Sequence, residues 1–288
     1  MIHFLTVNYH SADWISKLIN SLPERENKSY KLIIVNNSPE DTKIHDLLND
    51  SIHLINSEVN LGFGRACNLG LNYIYALDSQ AIVWIINPDA YLLDNKITEI
   101  SDFFVSHSEV SILGTTIYTP EKKVWFAGGV FSPETGYIFN HTTLQDSDKD
   151  YSECDWISGC SLILNLKNFS KCPFFDSAYF LYYEDFDFCQ RYIKLGHKVG
   201  ITNRFAVIHQ ASAITNQYTF RKIKHSTYSY IFTLHRYANH SIFYLRFLRL
   251  FIYSCILIVI NPKIAAGKFA GILMYWQWSY QNMVSQHN

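Results

Sequence analysis

Residues 81–89 read Ala-Ile-Val-Trp-Ile-Ile-Asn-Pro-Asp, an apolar run that ends in a proline turn and a carboxylate. A short apolar run bounded by turn residues is typical of a buried strand. Because Asn87 and Pro88 force a turn, Asp89 is directed beyond the end of that strand. Open α/β sheets bind their ligands outside the carboxyl ends of the strands. The segment therefore predicts a parallel sheet with a functional site beside Asp89.

On both sides of this segment, apolar β-branched runs alternate with amphipathic stretches, which predicts βαβ units and a mostly parallel sheet. The predicted strands are Ile2–Asn8, Lys31–Asn36, Ile52–Asn56, Ala81–Ile86 and Ser111–Thr115, then 156–164, 198–202 and 205–209. The predicted helices are Ala12–Leu22, Asp41–Asn49, Arg65–Leu77, Asp94–Ser106 and Glu184–Leu195. Residues 116–151 are rich in Gly, Thr, Asp and Tyr and predict a hairpin or a long surface excursion.

Charge and cysteine content narrow the class of protein. The 288 residues carry a formal net charge of -1, so we expect no nucleic-acid partner. The six cysteines form no C-x-x-C pair, which indicates reduced thiols of a cytosolic protein rather than a disulfide or zinc framework. The N-terminal residues lack a basic segment and read directly as a strand, so no cleavable signal peptide is expected.

Two further polar segments carry candidate chemistry. Glu184 and Asp185 begin a predicted helix after an aromatic run, where acids are favoured by the helix dipole. Capping is therefore one interpretation, and buried acids that meet a cation or a substrate hydroxyl are the other. Adjacent helical residues point in different directions, so at most one of the two faces a reacting atom. His209 ends a strand, and its significance depends on whether the fold brings it to Asp89.

A glycine- and asparagine-rich loop at residues 60–70 precedes a predicted helix. Backbone N–H groups at a helix N-terminus can meet a phosphate, and Arg65 adds a forked cation. The loop is not the dinucleotide-binding fingerprint, because Cys67 stands where a third glycine is required. A plain turn before a helix fits the pattern equally well.

Taken in order, these segments resemble glycosyltransferase family 2, and within it the branch of rhamnosyltransferases and galactofuranosyltransferase-like enzymes. The resemblance covers residues 1–210 and implies the GT-A fold, a Rossmann-like α/β sheet that binds a nucleotide-sugar. The segments are residues 7–9 (Val-Asn-Tyr), 34–38 (Ile-Val-Asn-Asn-Ser), 60–64 (Asn-Leu-Gly-Phe-Gly), 68–70 (Asn-Leu-Gly), 87–89 (Asn-Pro-Asp), 156–159 (Trp-Ile-Ser-Gly), 180–187 (Phe-Leu-Tyr-Tyr-Glu-Asp-Phe-Asp) and 207–209 (Val-Ile-His).

The resemblance also implies roles for individual residues. Asp185 is the candidate catalytic base with Glu184 as the second acid of its motif, and Trp156 belongs to the acceptor wall. Asp89 and His209 are the implied ligands of Mg²⁺ or Mn²⁺. The implied nucleotide-binding residues are Asn8, Asn36, Asn37, Gly62, Arg65, Asn68 and Asn87.

Two departures from the family pattern affect what the resemblance implies. The common Asp-x-Asp motif is here Asn87-Pro88-Asp89, so one carboxylate of the metal site is missing. Asn36 stands where many members carry Asp, which leaves the choice between uridine and thymidine open.

The C-terminal sequence differs from the rest, and we place a catalytic domain at 1–215 and a helical region at 216–288. The apolar stretch Ile242–Ile260 is about as long as a bilayer span of ~20 residues, but Arg246 and Arg249 lie inside it. We therefore expect interfacial helices with Tyr275, Trp276 and Trp278 near the headgroups, on a protein peripheral to the inner face of the cell membrane. The alternatives are packing on the catalytic domain and a homodimer contact.

The leading functional prediction is an inverting glycosyltransferase that moves a sugar, with rhamnose favoured, from a dTDP- or UDP-linked donor. Its acceptor would be a hydroxyl of a glycan or a lipid-linked acceptor in bacterial surface polysaccharide synthesis (O-antigen of lipopolysaccharide, or capsule). A sugar nucleotidyltransferase is one alternative, although residues 8–11 lack the glycine-rich, Arg-containing loop that it needs after the first strand. A non-catalytic sugar- or lipid-binding module of the same fold is the other.

Overall fold

The computed structural model of the chain describes residues 1–23, 30–94, 96–143, 149–210 and 219–285. A mixed sheet with flanking helices forms its centre, and a group of long helices follows. The strands are β1 (Ile2–Asn8), β2 (Tyr30–Asn36), β3 (Ile52–Asn56), β4 (Ile82–Ile86), β5 (Ala90–Leu92), β6 (Val110–Tyr118), β7 (Val124–Phe126), β8 (Gly129–Ser132), β9 (Tyr137–Asn140), β10 (Ser152–Glu153), β11 (Ser161–Asn165) and β12 (Lys198–His209). The helices are α1 (Ala12–Ser21), α2 (Phe63–Leu77), α3 (Glu99–Ser106), α4 (Glu184–Lys194), α5 (Thr219–Tyr237), α6 (His240–Ile260) and α7 (Pro262–Ser285).

The large sheet has the strand order β10-β12-β6-β11-β4-β1-β2-β3. Strands β4, β1, β2 and β3 are parallel to one another, as the βαβ pattern predicts. The other half of the sheet is mixed, because β11 runs antiparallel to both of its neighbours, β4 and β6. The expectation of a mostly parallel sheet therefore holds for the first half of the chain only.

Several predicted boundaries move for local reasons. The segment predicted as a helix at 41–49 is a 3₁₀ helix at Thr42–Leu47, whose first turn is capped by the Asp41 carboxylate. The strand predicted at 156–164 begins only at Ser161, because the backbone turns between Ser158 and Ser161. The two strands predicted at 198–202 and 205–209 are one strand, β12, with an irregularity after Thr202. Residues 129–140 form the β8–β9 hairpin, which confirms the prediction of a hairpin within residues 116–151.

The sheet positions the candidate site residues through its strand ends. Asn8 and Asn36 end β1 and β2, and His209 ends β12. The short strand β5 begins at Ala90 and pairs antiparallel with β12, with Ala90 opposite His209. This pairing carries Asp89 across to the end of β12. Among the parallel strands, every residue of β1 is buried, whereas β3 at the edge of the sheet is partly exposed.

The C-terminal helices form an apolar cluster of their own, in which Tyr179, Tyr228, Phe232, Ile272 and Tyr275 are buried. Among the described residues, α6 is the one helix long and apolar enough to cross a membrane. The predicted domain boundary at 215/216 falls outside the described residues, so the division into 1–215 and 216–288 stays a prediction.

Candidate active site

A cavity of about 620 Å³ opens at the carboxyl ends of β1, β4 and β12. Its position agrees with the general rule for ligand sites of open α/β sheets. The predicted site residues in its wall are Asn37, Gly62, Asn87, Asp89, Trp156, Glu184, Asp185 and His209. Asn8, Asn36, Arg65 and Asn68 are not part of the wall.

Asp89 and His209 meet in this wall, although 120 residues separate them in the chain. Nε2 of His209 lies 3.2 Å from Oδ1 of Asp89, and both side chains are buried. Burial by itself lowers the pKa of His209, but Cys160 and Asp89 outweigh that effect and raise it. Because burial also raises the pKa of the Cys160 thiol, the thiol is neutral near pH 7. The Asp89 carboxylate is therefore the anion that stabilises a protonated His209.

The donor set of this pair fits a divalent cation. Two ligand atoms ~2.1 Å from an octahedral ion and at right angles to each other lie about 3 Å apart. The 3.2 Å between Nε2 of His209 and Oδ1 of Asp89 is close to that separation. No cluster of three or more His, Cys, Asp or Glu side chains suited to a metal occurs in the part of the chain that the structure describes. A cation held here would therefore need further oxygen ligands from a bound phosphate or from water.

The two acids at the start of α4 have opposite environments. The Asp185 carboxylate, partly exposed in the cavity, accepts the N–H groups of Gly159 at Oδ2 and Phe186 at Oδ1, each at 2.8 Å. Glu184 is buried, and its Oε2 has no hydrogen-bond partner among the described residues. Burial, and next the charge of Asp185, raise the pKa of Glu184 to about 8. Burial also raises the pKa of Asp185, but the two N–H groups oppose that rise and favour its charged form, whereas Oε2 of Glu184 has no such donor.

A single turn, Ser158–Cys160, connects the two halves of the site. The carbonyl oxygen of Cys160 accepts the N–H of Asn87 at 2.9 Å, which fixes the segment that carries Asp89. The N–H of Gly159 binds Asp185. This turn immediately precedes β11, whose antiparallel pairing with β4 sets its position. The Asp89–His209 pair and Asp185 are thus held at fixed places in one cavity.

The backbone before α4 is strained. Tyr182 and Tyr183 have φ angles of +69° and +64°, in the left-handed region that bulky residues rarely adopt. Such conformations cost about 1–3 kcal/mol each and concentrate at functional sites. Both tyrosines line the cavity directly before Glu184 and Asp185. The strain therefore lies where the chain turns the two acids toward the cavity.

Asparagine side chains build the floor beneath the cavity rather than its wall. Nδ2 of Asn8 donates to Oδ1 of Asn36 at 3.0 Å, and Nδ2 of Asn36 donates to Oδ1 of Asn56 at 3.1 Å. Asn37 lies one residue further on and reaches the wall, where its Oδ1 accepts the N–H of Leu61 at 2.8 Å. Asn8 and Asn36 therefore tie the strand ends together, and their direct contact with a nucleotide stays a prediction.

The loop at the start of α2 closes tightly against the segment before α4. Gly62 has φ +83°, and a Cβ built on it would lie 2.1 Å from the carbonyl oxygen of Phe180. Asn68 exchanges two hydrogen bonds with the backbone of Phe175, at 2.7 and 2.8 Å. Arg65 has a buried Nε without a partner among the described residues and lies outside the cavity wall. The loop thus holds the segment before α4 in place. A contact between Arg65 and a phosphate stays a prediction.

Aromatic rings form much of the remaining wall. Trp156 lies in the wall as predicted, with its ring 5.0 Å from that of Phe126. Trp125 also lines the cavity, and its ring is 5.1 Å from His209. Sequence reasoning missed Trp125, and it missed Arg221, whose Nη1 lies 3.2 Å from the hydroxyl of Tyr9. Trp125 could have been proposed from the sequence, because it is an aromatic residue in the 116–151 segment. Arg221 could not, because only the tertiary fold brings α5 to the cavity.

Comparison with known proteins gives a consistent result. Rhamnosyltransferase WbbL of Escherichia coli is 24% identical over 253 residues, which cover 80% of this chain and 92% of that protein. The N-acetylglucosaminyl-diphospho-decaprenol L-rhamnosyltransferase of Mycobacterium tuberculosis is 22% identical over 261 residues, which cover 77% of this chain and 84% of that protein.

The fold resembles the mannosyltransferase PcManGT of Pyrobaculum calidifontis, solved in complex with GDP-Man and Mn²⁺. The TM-score is 0.53 at 11% identity, and the match covers 99% of this chain and 80% of that one. This likeness confirms the predicted GT-A fold. The model of the family described as glycosyl transferase family 2 matches residues 4–164, more than half of the 288 residues. The chain belongs to glycosyl transferase family 2.

Proposed function

We propose that the protein transfers a sugar from a nucleoside diphosphate donor to a hydroxyl group, with inversion at the anomeric carbon. The observation that carries this proposal is the Ser158–Cys160 turn, which fixes the Asp89 segment and the Asp185 carboxyl group in one cavity. The Asp89 segment is placed to bind the diphosphate leaving group, and Asp185 is placed to act as a general base. Inversion needs a single displacement, and hence one base and no covalent intermediate on the protein.

In this reaction the acceptor oxygen forms a bond to the anomeric carbon as the bond to the diphosphate breaks, and that electron pair leaves on the diphosphate. The acceptor proton passes to the Asp185 carboxylate. Burial raises the pKa of Asp185, and the Gly159 and Phe186 N–H groups oppose that rise while holding the carboxylate in place. A positioned base of this kind contributes about 10²–10⁴-fold to the rate.

Asp89 and His209 are proposed to hold Mg²⁺ or Mn²⁺. Bound there, the cation supplies stabilisation of the negative charge that builds up on the leaving diphosphate. His209 would have to lose its proton before its Nε2 could hold a cation. Asn87 stands where the Asp-x-Asp pattern has its first carboxylate. Its backbone N–H donates to the carbonyl oxygen of Cys160, and the residue lines the cavity.

The donor and acceptor are proposed from the relatives. Both relatives described above are named rhamnosyltransferases, which favours a rhamnosyl donor linked to dTDP, with UDP as the second choice. The name of the mycobacterial enzyme specifies a lipid-linked sugar acceptor. A glycan or lipid-linked acceptor of a surface polysaccharide, reached from the cytoplasmic face of the membrane, is accordingly proposed here. Trp125 and Trp156 provide flat apolar surfaces that suit the face of a sugar ring.

Thermal unfolding with a panel of UDP, dTDP, GDP and CDP, each with Mn²⁺, Mg²⁺ or EDTA, tests the donor site. A ligand at about 100 times its Kd stabilises the protein by about 2.7 kcal/mol. We expect stabilisation by dTDP or UDP that depends on the metal and is lost in Asp89→Asn. Stabilisation without transfer of any sugar would instead support a non-catalytic binding module. If no nucleotide stabilises the protein with either metal, the proposed donor site is wrong.

A further inference from the structure

The chain divides sharply in charge at the start of α4. Its last acidic residue is Asp187, and residues 188–288 contain twelve Lys and Arg but no Asp or Glu. Residues 1–187 hold the other twelve cations together with all 25 acids. The net charge of -1 therefore combines an acidic N-terminal part with a strongly basic C-terminal part. Four of these cations, Arg191, Lys198, Arg204 and Arg236, pair with acids of the first part. The helices α5, α6 and α7 contain no acid to balance their remaining Lys and Arg, and a basic surface of this kind attracts anions.

The same C-terminal part exposes a large apolar surface. Of the large hydrophobic side chains that are exposed in the described residues, nine lie on α6 and five on α7. Val259 and Ile260, at the tip of the α6–α7 hairpin, are 89% and 71% exposed. Trp276 on α7 is half exposed, whereas Tyr275 and Trp278 pack among the helices, so the predicted headgroup contact by those two is not available. Contiguous apolar surface of this extent marks an interaction site.

The hairpin is attached to the rest of the protein along its length. Arg246 on α6 donates two hydrogen bonds to the carbonyl oxygen of Thr135, at 3.0 and 2.8 Å, and lies 3.9 Å above the ring of Tyr137. On α7, a Cβ at Gly271 would lie 2.6 Å from the carbonyl oxygen of Lys224 on α5. A helix that crossed a bilayer would have to break these contacts. The arrangement therefore favours a hairpin that lies along a surface.

Cations flank the apolar surface. Arg249 on α6 and Lys263 at the start of α7 are exposed beside it. The ammonium group of Lys268 lies 5.5 Å from the ring of Tyr253, so its charge sits over an exposed aromatic side chain. Apolar side chains bordered by Lys and Arg are the composition of helices that bind in the plane of an anionic membrane.

We propose that the outer face of the α6–α7 hairpin docks on a lipid bilayer with anionic headgroups, with the apolar tip at 256–260 inserted among the acyl chains. Charge complementarity selects this occupant over a second copy of the chain. Two such faces brought together would juxtapose basic residues without a single Asp or Glu from either hairpin. The inference adds a surface and a partner to the proposed function, and vesicle binding can be measured without any sugar transfer.

Co-sedimentation of the full chain with vesicles tests the proposal. We compare vesicles of phosphatidylcholine alone with vesicles that also contain phosphatidylglycerol, at low and high salt. We expect binding to the anionic vesicles that weakens with salt and falls about fivefold for each charge removed in Arg249→Gln and Lys263→Gln. The double variant Ile256→Glu/Val259→Glu is expected to lose at least about tenfold in vesicle affinity.

The matched control is Leu77→Glu/Val105→Glu, which adds the same charges at exposed apolar positions on α2 and α3. It should bind vesicles like the wild type, and a cooperative thermal transition shows that each variant is folded. Equal sedimentation of the Ile256→Glu/Val259→Glu variant and the wild type would overturn the proposal. The proposal would also be overturned if the wild-type chain did not bind anionic vesicles at low salt. It would be overturned as well if the wild type were a dimer and the Ile256→Glu/Val259→Glu variant were a monomer.

Discussion

The sheet region and the helical region use apolar residues in opposite ways. Every residue of β1 and of β11 is buried. In α6, by contrast, Phe243, Ser254 and Leu257 are the buried residues, and a row of Leu, Ile, Val and Tyr side chains faces outward. Apolar content alone therefore does not determine what surrounds a segment. The distribution of acids separates the two, because none follows Asp187.

The difference predicts that the proposed catalytic base lies in the sheet region and the proposed membrane contact in the helical region. Asp185→Asn removes the proposed base and should lower the transfer rate by about 10²–10⁴-fold, while nucleotide affinity and vesicle binding stay unchanged. Initial rates of sugar transfer, with nucleotide affinity measured on the same protein, test this expectation. Asp150→Asn is the matched control, because Asp150 is an exposed acid that pairs with His107. A variant that keeps its full rate would remove Asp185 from the reaction.

One buried ion-pair network joins the two regions. Asp187 on α4 is inaccessible to solvent and binds Arg191 at 2.7 Å, Arg236 at 2.6 Å and the hydroxyl of Tyr237 at 2.7 Å, the last two from α5. Loss of Arg236 leaves the buried Asp187 with only Arg191 and Tyr237 as partners. Because the Arg236 side chain is 35% exposed, the cost is below that of a fully buried pair, about 2–4 kcal/mol. We expect such a loss of unfolding free energy in Arg236→Met, measured by urea denaturation.

The control for that variant is Lys198→Gln, which breaks an exposed pair with Glu153 and should cost under about 1 kcal/mol. A single cooperative transition is expected in the wild type, because the network ties α5 to α4. Two separate transitions in Arg236→Met would show that the regions fold independently once the pair is lost. An unchanged unfolding free energy would mean that the network does not stabilise the protein.

Comparing Gly62→Ala with Gly196→Ala measures how much the close contact between the α2 loop and the segment before α4 contributes to stability. Gly62→Ala meets both the left-handed φ and a clash with Phe180, so we expect a loss of about 2–4 kcal/mol and weaker nucleotide binding. Gly196→Ala has a similar φ of +89° but no atom within 4 Å of the added Cβ, and should cost only about 1 kcal/mol. Urea denaturation measures both. Equal losses would assign the whole effect to backbone conformation.

The smallest expected effect concerns Glu184. Its folded-state pKa is raised from 4.5 to about 8, so the folded protein binds more protons than the unfolded chain between these pH values. Stability is therefore lost as pH rises through that window and is unaffected below it. Glu184→Gln, which carries no titratable carboxyl group, should gain stability relative to the wild type as the pH rises through this window, with no gain at pH 4. Thermal unfolding across the pH range checks this, and a constant difference would contradict it.

The sequence predicted the strand ends well because each ends in a polar residue after an apolar run. Asn37, Asp89, Asp185 and His209 reach the cavity as expected. It could not predict that β5 pairs with β12, since a three-residue strand carries no periodicity, yet this pairing brings Asp89 to His209. Nor could it distinguish Asn8 and Asn36, which bind each other, from Asn37, which reaches the wall. Side-chain partners depend on the register of neighbouring strands, which local patterns do not encode.

Acidic and basic residues are separated along the chain, and this separation affects how the protein approaches a charged surface. A chain with a net charge of -1 experiences almost no net pull from a charged surface, but a large electric dipole moment experiences a torque. Within a Debye length of about 10 Å at ordinary salt, a negative plane turns the C-terminal helices toward itself and the acidic sheet away. If the hairpin docks as proposed, we expect this torque to orient the protein before it touches the surface.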